Sequence, residues 1–431
     1  MGQRPSSEPH GLATPGEMAM VARRAQATQA ARLNLNTQVT TMPEIFRAAR
    51  VAPMTPGWPL LEDAAVVVHD QLILDVGPFD HIRRTHAGPV RDLGGLTLAP
   101  ATFNSHTHLE MTHLLGKTTQ GQGFVTWVES LLANNAYGVD QPLVRSELTR
   151  LESRGCAFVA DISTRNAPLL AEILASSGHF FTSFQEAIGS VVPEPPAALL
   201  HQARDGAESG RGICAVAGHA LYSTSGELLR AAKAVSTAAN NGRGLPFSLH
   251  LAEHAEEDAI LLTGQSLFLD LLRSRGVISD YTAPGQRPVP LAHELGLLDE
   301  QTLCVHCVTV TDGDIALIAQ GRASVCLCPR SNDYIGVGQA PLAKFLEAGV
   351  NVCLGTDGLC SNVDLDPYGE LAWLAAQNPG VLSLGQGLAL VTANPARFFG
   401  LENTLGSLAP GRAARFSVVP QPVLDAFLKG I

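Results

Sequence analysis

Eight short apolar runs recur along the chain, and stretches of helical spacing separate most of them. The runs lie at 95–99, 157–162, 180–184, 213–217, 247–251, 303–308, 324–328 and 350–354. Helical patterns fall at 124–135, 143–154, 227–240, 341–348 and 385–399. A strand that is apolar throughout must be covered on both faces. Strand–helix alternation does this with a parallel sheet wrapped in helices. Eight such units in about 300 residues predict an α/β fold, a (β/α)8 TIM-type barrel. Shorter β-type runs at 64–69 and 71–76 precede it, and 416–419 follows the turn Pro410-Gly411. Strands at opposite ends of a chain can pair. Residues 44–98 plus 404–431 are therefore expected to form a small β-sandwich domain, with the barrel over 99–403. Residues 1–43 have no sustained apolar face and are expected to be a disordered extension.

Composition enters through what it excludes. Apolar residues make up 45% and charged residues 16%, enough to bury a large core. Acidic residues number 40 against 29 basic, a net charge of −11, which argues against a nucleic-acid surface. No apolar run approaches the ~18 residues that span a bilayer. The 8 cysteines are scattered through apolar runs. With no apolar leader ahead of them, a reducing cytoplasm is expected. Cys304-Val305-His306-Cys307 contains a CxxC, but no second pair stands at zinc-site spacing, so it reads as a buried strand.

Barrel chemistry sits where strands end. The runs here end in polar residues: His106-x-His108, Asp161, Glu186, His219, His250 with Glu253, His306, Arg330-Ser331-Asn332, and Asp357. Alternate residues of an extended chain point the same way, so His106 and His108 face one centre. Such a pair alone is weak. With His250 and Asp357 at two other strand mouths it becomes a ligand set for one divalent ion, zinc ahead of iron, with a position left for water. Asp357 can then take a proton from that water, and His306 can polarise the forming tetrahedral centre. Glu253 can carry a proton to a ring nitrogen and on to the leaving group. Glu256 and Glu257 follow directly, so a solvated helix-start carboxylate is the other reading of Glu253.

As an ensemble, His106-Thr107-His108, His219-Ala220-Leu221-Tyr222, His250-Leu251-Ala252-Glu253, His306-Cys307-Val308, Cys328-Pro329-Arg330-Ser331-Asn332, Gly355-Thr356-Asp357 and Thr392-Ala393-Asn394-Pro395 resemble the amidohydrolase superfamily. The resemblance spans 44–420 and is to the group of cytosine-deaminase-like, adenosine-type and guanine deaminases and triazine chlorohydrolases. It implies metal ligands His106, His108, His250 and Asp357, with Glu253 as proton shuttle. It also implies that His306 flanks the attacking water and that His219 lies against the substrate. Binuclear members carry a carboxylated lysine near the middle strands. Only Lys117 and Lys233 lie between His108 and His250, in a loop and a helical pattern, so one metal is expected. Three departures stand out. Leu221 replaces a proline, Ala414-Arg415 replaces Ala-Asp, and the helix at Phe124 and Trp127 lacks the glutamate with which nucleoside deaminases grip ribose.

His108-Leu109-Glu110 together with Cys328-Pro329-Arg330-Ser331-Asn332 is similar to the aminodeoxyfutalosine deaminases, whose substrate is an adenine nucleoside bearing a benzoate. An arginine fork at a barrel mouth suits a carboxylate. Arg330 is therefore expected to meet that group, the alternative being an ion pair with an acid such as Asp333. Glu110, Trp127 and Asn332 complete the expected substrate wall, although aromatics at helical spacing more often pack. The expected activity is hydrolysis of a C–N bond other than a peptide bond: deamination of an amino-substituted purine nucleoside or related heteroaromatic ring. The substrate that the resemblance suggests is aminodeoxyfutalosine; the alternatives are deamination of adenosine, methylthioadenosine, adenosylhomocysteine or guanine, and hydrolytic dechlorination or another leaving-group displacement on a triazine-like ring. A small-molecule substrate and a homodimer are expected, with no nucleic acid or membrane partner.

Overall fold

The computed structural model describes residues 42–57, 59–200, 210–275 and 281–428. The expected extension at 1–43 lies almost wholly outside the described residues. β1 (Glu44–Val51), β2 (Leu61–His69) and β3 (Leu72–Pro78) form an antiparallel meander. β4 (Val90–Asp92) and β5 (Thr97–Pro100) run parallel to β1, and β14 (Phe416–Val418) pairs antiparallel with β5. Distant chain segments thus meet in one mixed sheet, where two packed sheets were expected. Alternation explains why one suffices. Phe46, Val66, Ile73 and Phe416 bury one face, while Ile45 and Val67 bury the other against Ile82.

The barrel strands are β6 (Thr102–Thr107), β7 (Cys156–Ser163), β8 (Phe180–Ala187), β9 (Gly212–Gly218), β10 (Phe247–Leu251), β11 (Thr302–His306), β12 (Ser324–Leu327) and β13 (Val352–Leu354). They are hydrogen-bonded in chain order, every pair parallel. The ring closes between β13 and β6. The N–H groups of Thr356 and Asp357 donate to the His106 carbonyl at 2.9 and 3.1 Å. Asn104 Nδ2 donates to Thr356 Oγ1 at 2.7 Å. Gly355 permits this approach, because a Cβ there would lie 2.7 Å from His106 Cβ.

Two sequence expectations shift. The run at 95–99 is not the first barrel strand; its residues from Thr97 on form β5 of the small sheet. The first barrel strand is Thr102–Thr107, buried along its whole length yet largely polar. Its polar side chains close the barrel and build the site, so the apolar signal is missing where the chemistry is densest. The helix expected over 385–399 divides into Leu384–Leu390 and Ala393–Phe398. Pro395 has no N–H to offer the Val391 carbonyl. That carbonyl accepts instead from Phe103 N of β6, at 2.8 Å.

All 8 cysteines are free thiols, every one buried except Cys214. Among the described residues, no helix is long and apolar enough to cross a membrane.

Candidate metal centre

Parallel strands open all their C-terminal ends on one rim. The end of β6 supplies His106 and, just beyond it, His108; β10 supplies His250, and the turn after β13 supplies Asp357. One ring nitrogen from each histidine lies within 4.8 Å of the other two, and the same holds for donor atoms of His106, His306 and Asp357. Backbone carbonyls set the tautomers. His250 Nδ1 donates to the His219 carbonyl and His108 Nδ1 to the Ile162 carbonyl, each at 3.0 Å. With Nδ1–H committed, both Nε2 lone pairs turn inward. His250 Nε2 lies 3.3 Å from His106 Nε2. Asp357 Oδ1 lies 3.6 Å from His106 Nε2 and 3.4 Å from His108 Nε2. Its Oδ2 accepts from Ser331 Oγ and Ser361 Oγ, both at 2.7 Å.

Burial pushes His106 down to about 4 and His250 well below the ordinary imidazole value. Both are therefore neutral at pH 7. Burial alone would raise Asp357; the hydrogen bond from His106 and the charges of His108, His306 and His106 hold it well below the usual carboxylate range. Burial would lower His108 too, but the charges of Asp357, Glu186, Glu110 and Asp161 raise it above the ordinary imidazole value. The lone pairs of neutral His106 and His250, their Nε2 atoms 3.3 Å apart beside the Asp357 carboxylate, repel one another unless a cation lies among them. This donor set fits one divalent ion.

Around this cluster stand the proton-handling groups. His306 Nδ1 donates to Asn332 Oδ1 at 3.0 Å, and its Nε2 lies 3.7 Å from Glu253 Oε1. Burial, with the Asp357 charge adding to it, pushes the Glu253 carboxyl up to about 8. The Glu253 N–H donates to Glu257 Oε2 at 2.9 Å, which fixes the turn on which Glu253 stands. His219 Nδ1 pairs with Ser223 Oγ at 2.5 Å, and its ring meets that of His250 edge-on at 5.3 Å. Ala252, His306, Cys307 and Asp357 all have positive φ, between 49° and 73°. Strain of this kind collects at functional sites.

The Amidohydrolase family profile matches residues 97–429. This chain belongs to that family. Over 378 residues it is 30% identical to the 5-methylthioadenosine/S-adenosylhomocysteine deaminase of Moorella thermoacetica, covering 84% of this chain and 82% of that one. It is 26% identical to the aminodeoxyfutalosine deaminase of Deinococcus radiodurans over 331 residues, 73% of this chain and 77% of that one. The solved structure of an adenosine deaminase from Xanthomonas campestris with bound zinc superposes with a TM-score of 0.71. It is 26% identical and covers 89% of this chain and 86% of that one. The chain is a metal-dependent hydrolytic deaminase, acting on C–N bonds other than peptide bonds.

In this amidohydrolase several expected substrate contacts have other duties. Arg330 does not reach the mouth with a free fork. Its Nε donates to Glu370 Oε1 and its Nη2 to Asp364 Oδ1, each at 2.7 Å. Neither partner is the neighbour Asp333. Gly369 makes the space, since a Cβ there would lie 2.6 Å from Arg330 Nη1. Glu110 is fully buried, with Oε1 accepting from Thr164 N at 2.9 Å and Oε2 from Asn166 Nδ2 at 3.0 Å. It ties the loop after β7 to the helical turn Leu109–Leu114. Trp127 donates its indole N–H to the Cys360 carbonyl at 3.0 Å and packs among Leu114, Phe124 and Leu131. Asn332 orients His306 through Oδ1, while its buried Nδ2 has no hydrogen-bond partner among the described residues. Lys233 is held by Asp299 and Thr302 at 2.6 and 2.8 Å, away from the metal cluster. Sequence reasoning missed Ser331 and Ser361 as the clamp on Asp357, and Glu257 beneath Glu253. Nothing in a lone serine or in a run of glutamates marks them.

Proposed function

We propose that this amidohydrolase removes the 6-amino group of a 5′-modified adenine nucleoside, using one zinc ion held by His106, His108, His250 and Asp357. Three imidazoles and a carboxylate suit zinc's borderline character, and the Xanthomonas relative is described with bound zinc. When bound, the ion supplies Lewis acidity and brings the pKa of a coordinated water near neutrality. Asp357, its Oδ2 clamped by two serine hydroxyls, turns Oδ1 toward His106 and His108, where it would take one proton from the water. His306, its ring fixed by Asn332, directs Nε2 at the oxygen developing negative charge. Glu253 gives its proton to the purine ring nitrogen as C6 becomes tetrahedral. It then collects a proton that came from water and delivers it to the departing amine, so that ammonia leaves and the oxo product remains. His219, edge-on to the His250 ring and held by Ser223, steadies the purine.

The observation that carries this reading is the placement of Glu253, a buried carboxyl with Oε1 3.7 Å from His306 Nε2, which burial pushes up to about 8. An amine must be protonated to leave; chloride need not be. A resident buried acid thus supports deamination over dechlorination. The curated relatives at 26–30% identity are named as deaminases of methylthioadenosine, adenosylhomocysteine and aminodeoxyfutalosine. The test is ammonia release by zinc-loaded protein from adenosine, 5′-deoxyadenosine, methylthioadenosine, S-adenosylhomocysteine, aminodeoxyfutalosine, guanine and cytosine, with chloride release from a chlorotriazine in parallel. Ammonia from the 5′-modified adenosines is expected. Chloride release without ammonia would overturn the proposal.

A further inference from the structure

Where the last helices of the chain meet the small sheet there is a cavity of about 470 Å³, and none of the residues lining it belongs to the metal site. Its walls come from the C-terminal end of helix Pro367–Gln377, the turn into helix Leu384–Leu390, helix Gln421–Leu428 and the end of β1. Leu382, Leu424 and Phe427 supply apolar surface. The Phe427 ring stands where a Cβ on Gly387 would be, so a glycine in the neighbouring helix seats it. The volume lies in the range of small-molecule sites, about 300–1,000 Å³. Among the residues that line the cavity, Arg50 alone carries a charge. Its place in β1 makes this informative. Glu62 stands directly opposite it on β2, and residues so paired share one face of the sheet, where opposite charges attract. Yet Arg50 and Glu62 form no ion pair, whereas Arg47, three residues earlier, pairs with Asp63 at 2.7 Å. Among the described residues no carboxylate lies within 4.0 Å of the Arg50 guanidinium, and none accepts a hydrogen bond from it. On the other side of β1, in register with Arg50, Thr97 keeps a buried hydroxyl with no hydrogen-bond partner among the described residues. Gln386, also in the wall, commits Oε1 to the Ser383 N–H at 2.9 Å, which leaves its Nε2 donors for a ligand.

We infer that this cavity is a second ligand site, one that binds an amphiphilic monocarboxylate. The carboxylate lies on the Arg50 fork, and an alkyl or aryl tail lies against Leu382, Leu424 and Phe427. A guanidinium presents paired N–H donors that match a carboxylate, and no acid in the wall opposes an anion. The apolar walls favour a tail that leaves water. The site stands whatever nucleoside the metal centre takes.

The test titrates the zinc-loaded full chain with octanoate, and with octanamide as its uncharged counterpart, by ligand-detected NMR. For a ligand of this size a Kd of about 1 mM is expected for octanoate. Octanamide should bind about tenfold more weakly, the worth of one charge-assisted contact. Arg50→Gln should weaken octanoate by the same factor and leave octanamide unchanged, and Arg50→Lys should recover part of the loss. Ala426→Trp, which fills the cavity and keeps Arg50, should lose octanoate binding. Octanoate binding that is absent from the wild type overturns the inference. So does binding unchanged in Arg50→Gln, which would place the carboxylate elsewhere, on the zinc for example.

Discussion

Replacing Arg330 with methionine separates two roles that a guanidinium in this position can play. In the structure its fork is satisfied internally by Glu370 and Asp364, and its own N–H donates to Glu370 Oε2 at 2.9 Å. Glu370 is fully buried. Its Oε1 keeps only Asn362 Nδ2, at 2.7 Å, once Arg330 Nε is gone. Burial alone would raise Asp364; Arg330 and Arg154 together bring it down to about 2. Removing one member of a buried pair leaves an uncompensated carboxylate, a cost of about 3–5 kcal/mol. Divided by the unfolding entropy of a chain of this size, that is a fall in Tm of about 5 °C. The damage also reaches the site, because Asn362 Nδ2 holds the Thr356 carbonyl at 2.7 Å, next to Asp357. A lower kcat on every substrate is expected, together with the lower Tm, and Arg330→Met with Glu370→Gln should restore most of the stability. Thermal melts and steady-state kinetics on charged and uncharged nucleosides measure both. An unchanged Tm with KM raised only for carboxylated substrates would refute this reasoning and return Arg330 to the substrate.

Glu253→Gln should lower kcat about 10²- to 10⁴-fold, the usual worth of a positioned acid–base group. Its Tm should not fall, since a buried ionisable group is removed; a matching loss of Tm would show instead that Glu253 is structural. His108→Ala should lower bound zinc, measured by elemental analysis, well below one per chain, whereas Asn332→Ala should keep the metal and lose kcat through a loosened His306. Stability should fall as pH drops from about 6.5 to 4, in part because of His179. Burial, helped by Arg415 and Arg211, pushes His179 down to about 4. Over that window the unfolded chain binds a proton that the folded chain refuses, so up to about 3 kcal/mol is lost on acidification. Denaturant melts of His179→Gln against pH should show a shallower acid limb; an identical limb would rule His179 out.

Much of the architecture is readable from periodicity, because a fully buried parallel strand must be apolar and must be followed by something that covers it. Seven of the eight runs coincide with barrel strands for that reason. The eighth fails because β6 carries Asn104, Ser105 and His106, whose polarity serves closure and chemistry. The helix break at Val391 is readable in hindsight from Pro395 alone. The single mixed sheet is not, since a strand's alternation says that it has two faces but not what covers each.

The sequence by itself determined the barrel and the gathering of His106, His108, His250, His306, Glu253 and Asp357. Residue type at the end of a barrel strand is enough, because all such ends share one rim. Tertiary structure alone decided what each side chain is free to do there. Arg330 finds its acids 34 and 40 residues further on. Glu110 is closed off by residues 54 and 56 positions away, and Asn332 turns to His306 across 26. A hydrogen bond forms with whatever donor or acceptor lies within about 3 Å, and separation along the chain carries no record of that distance.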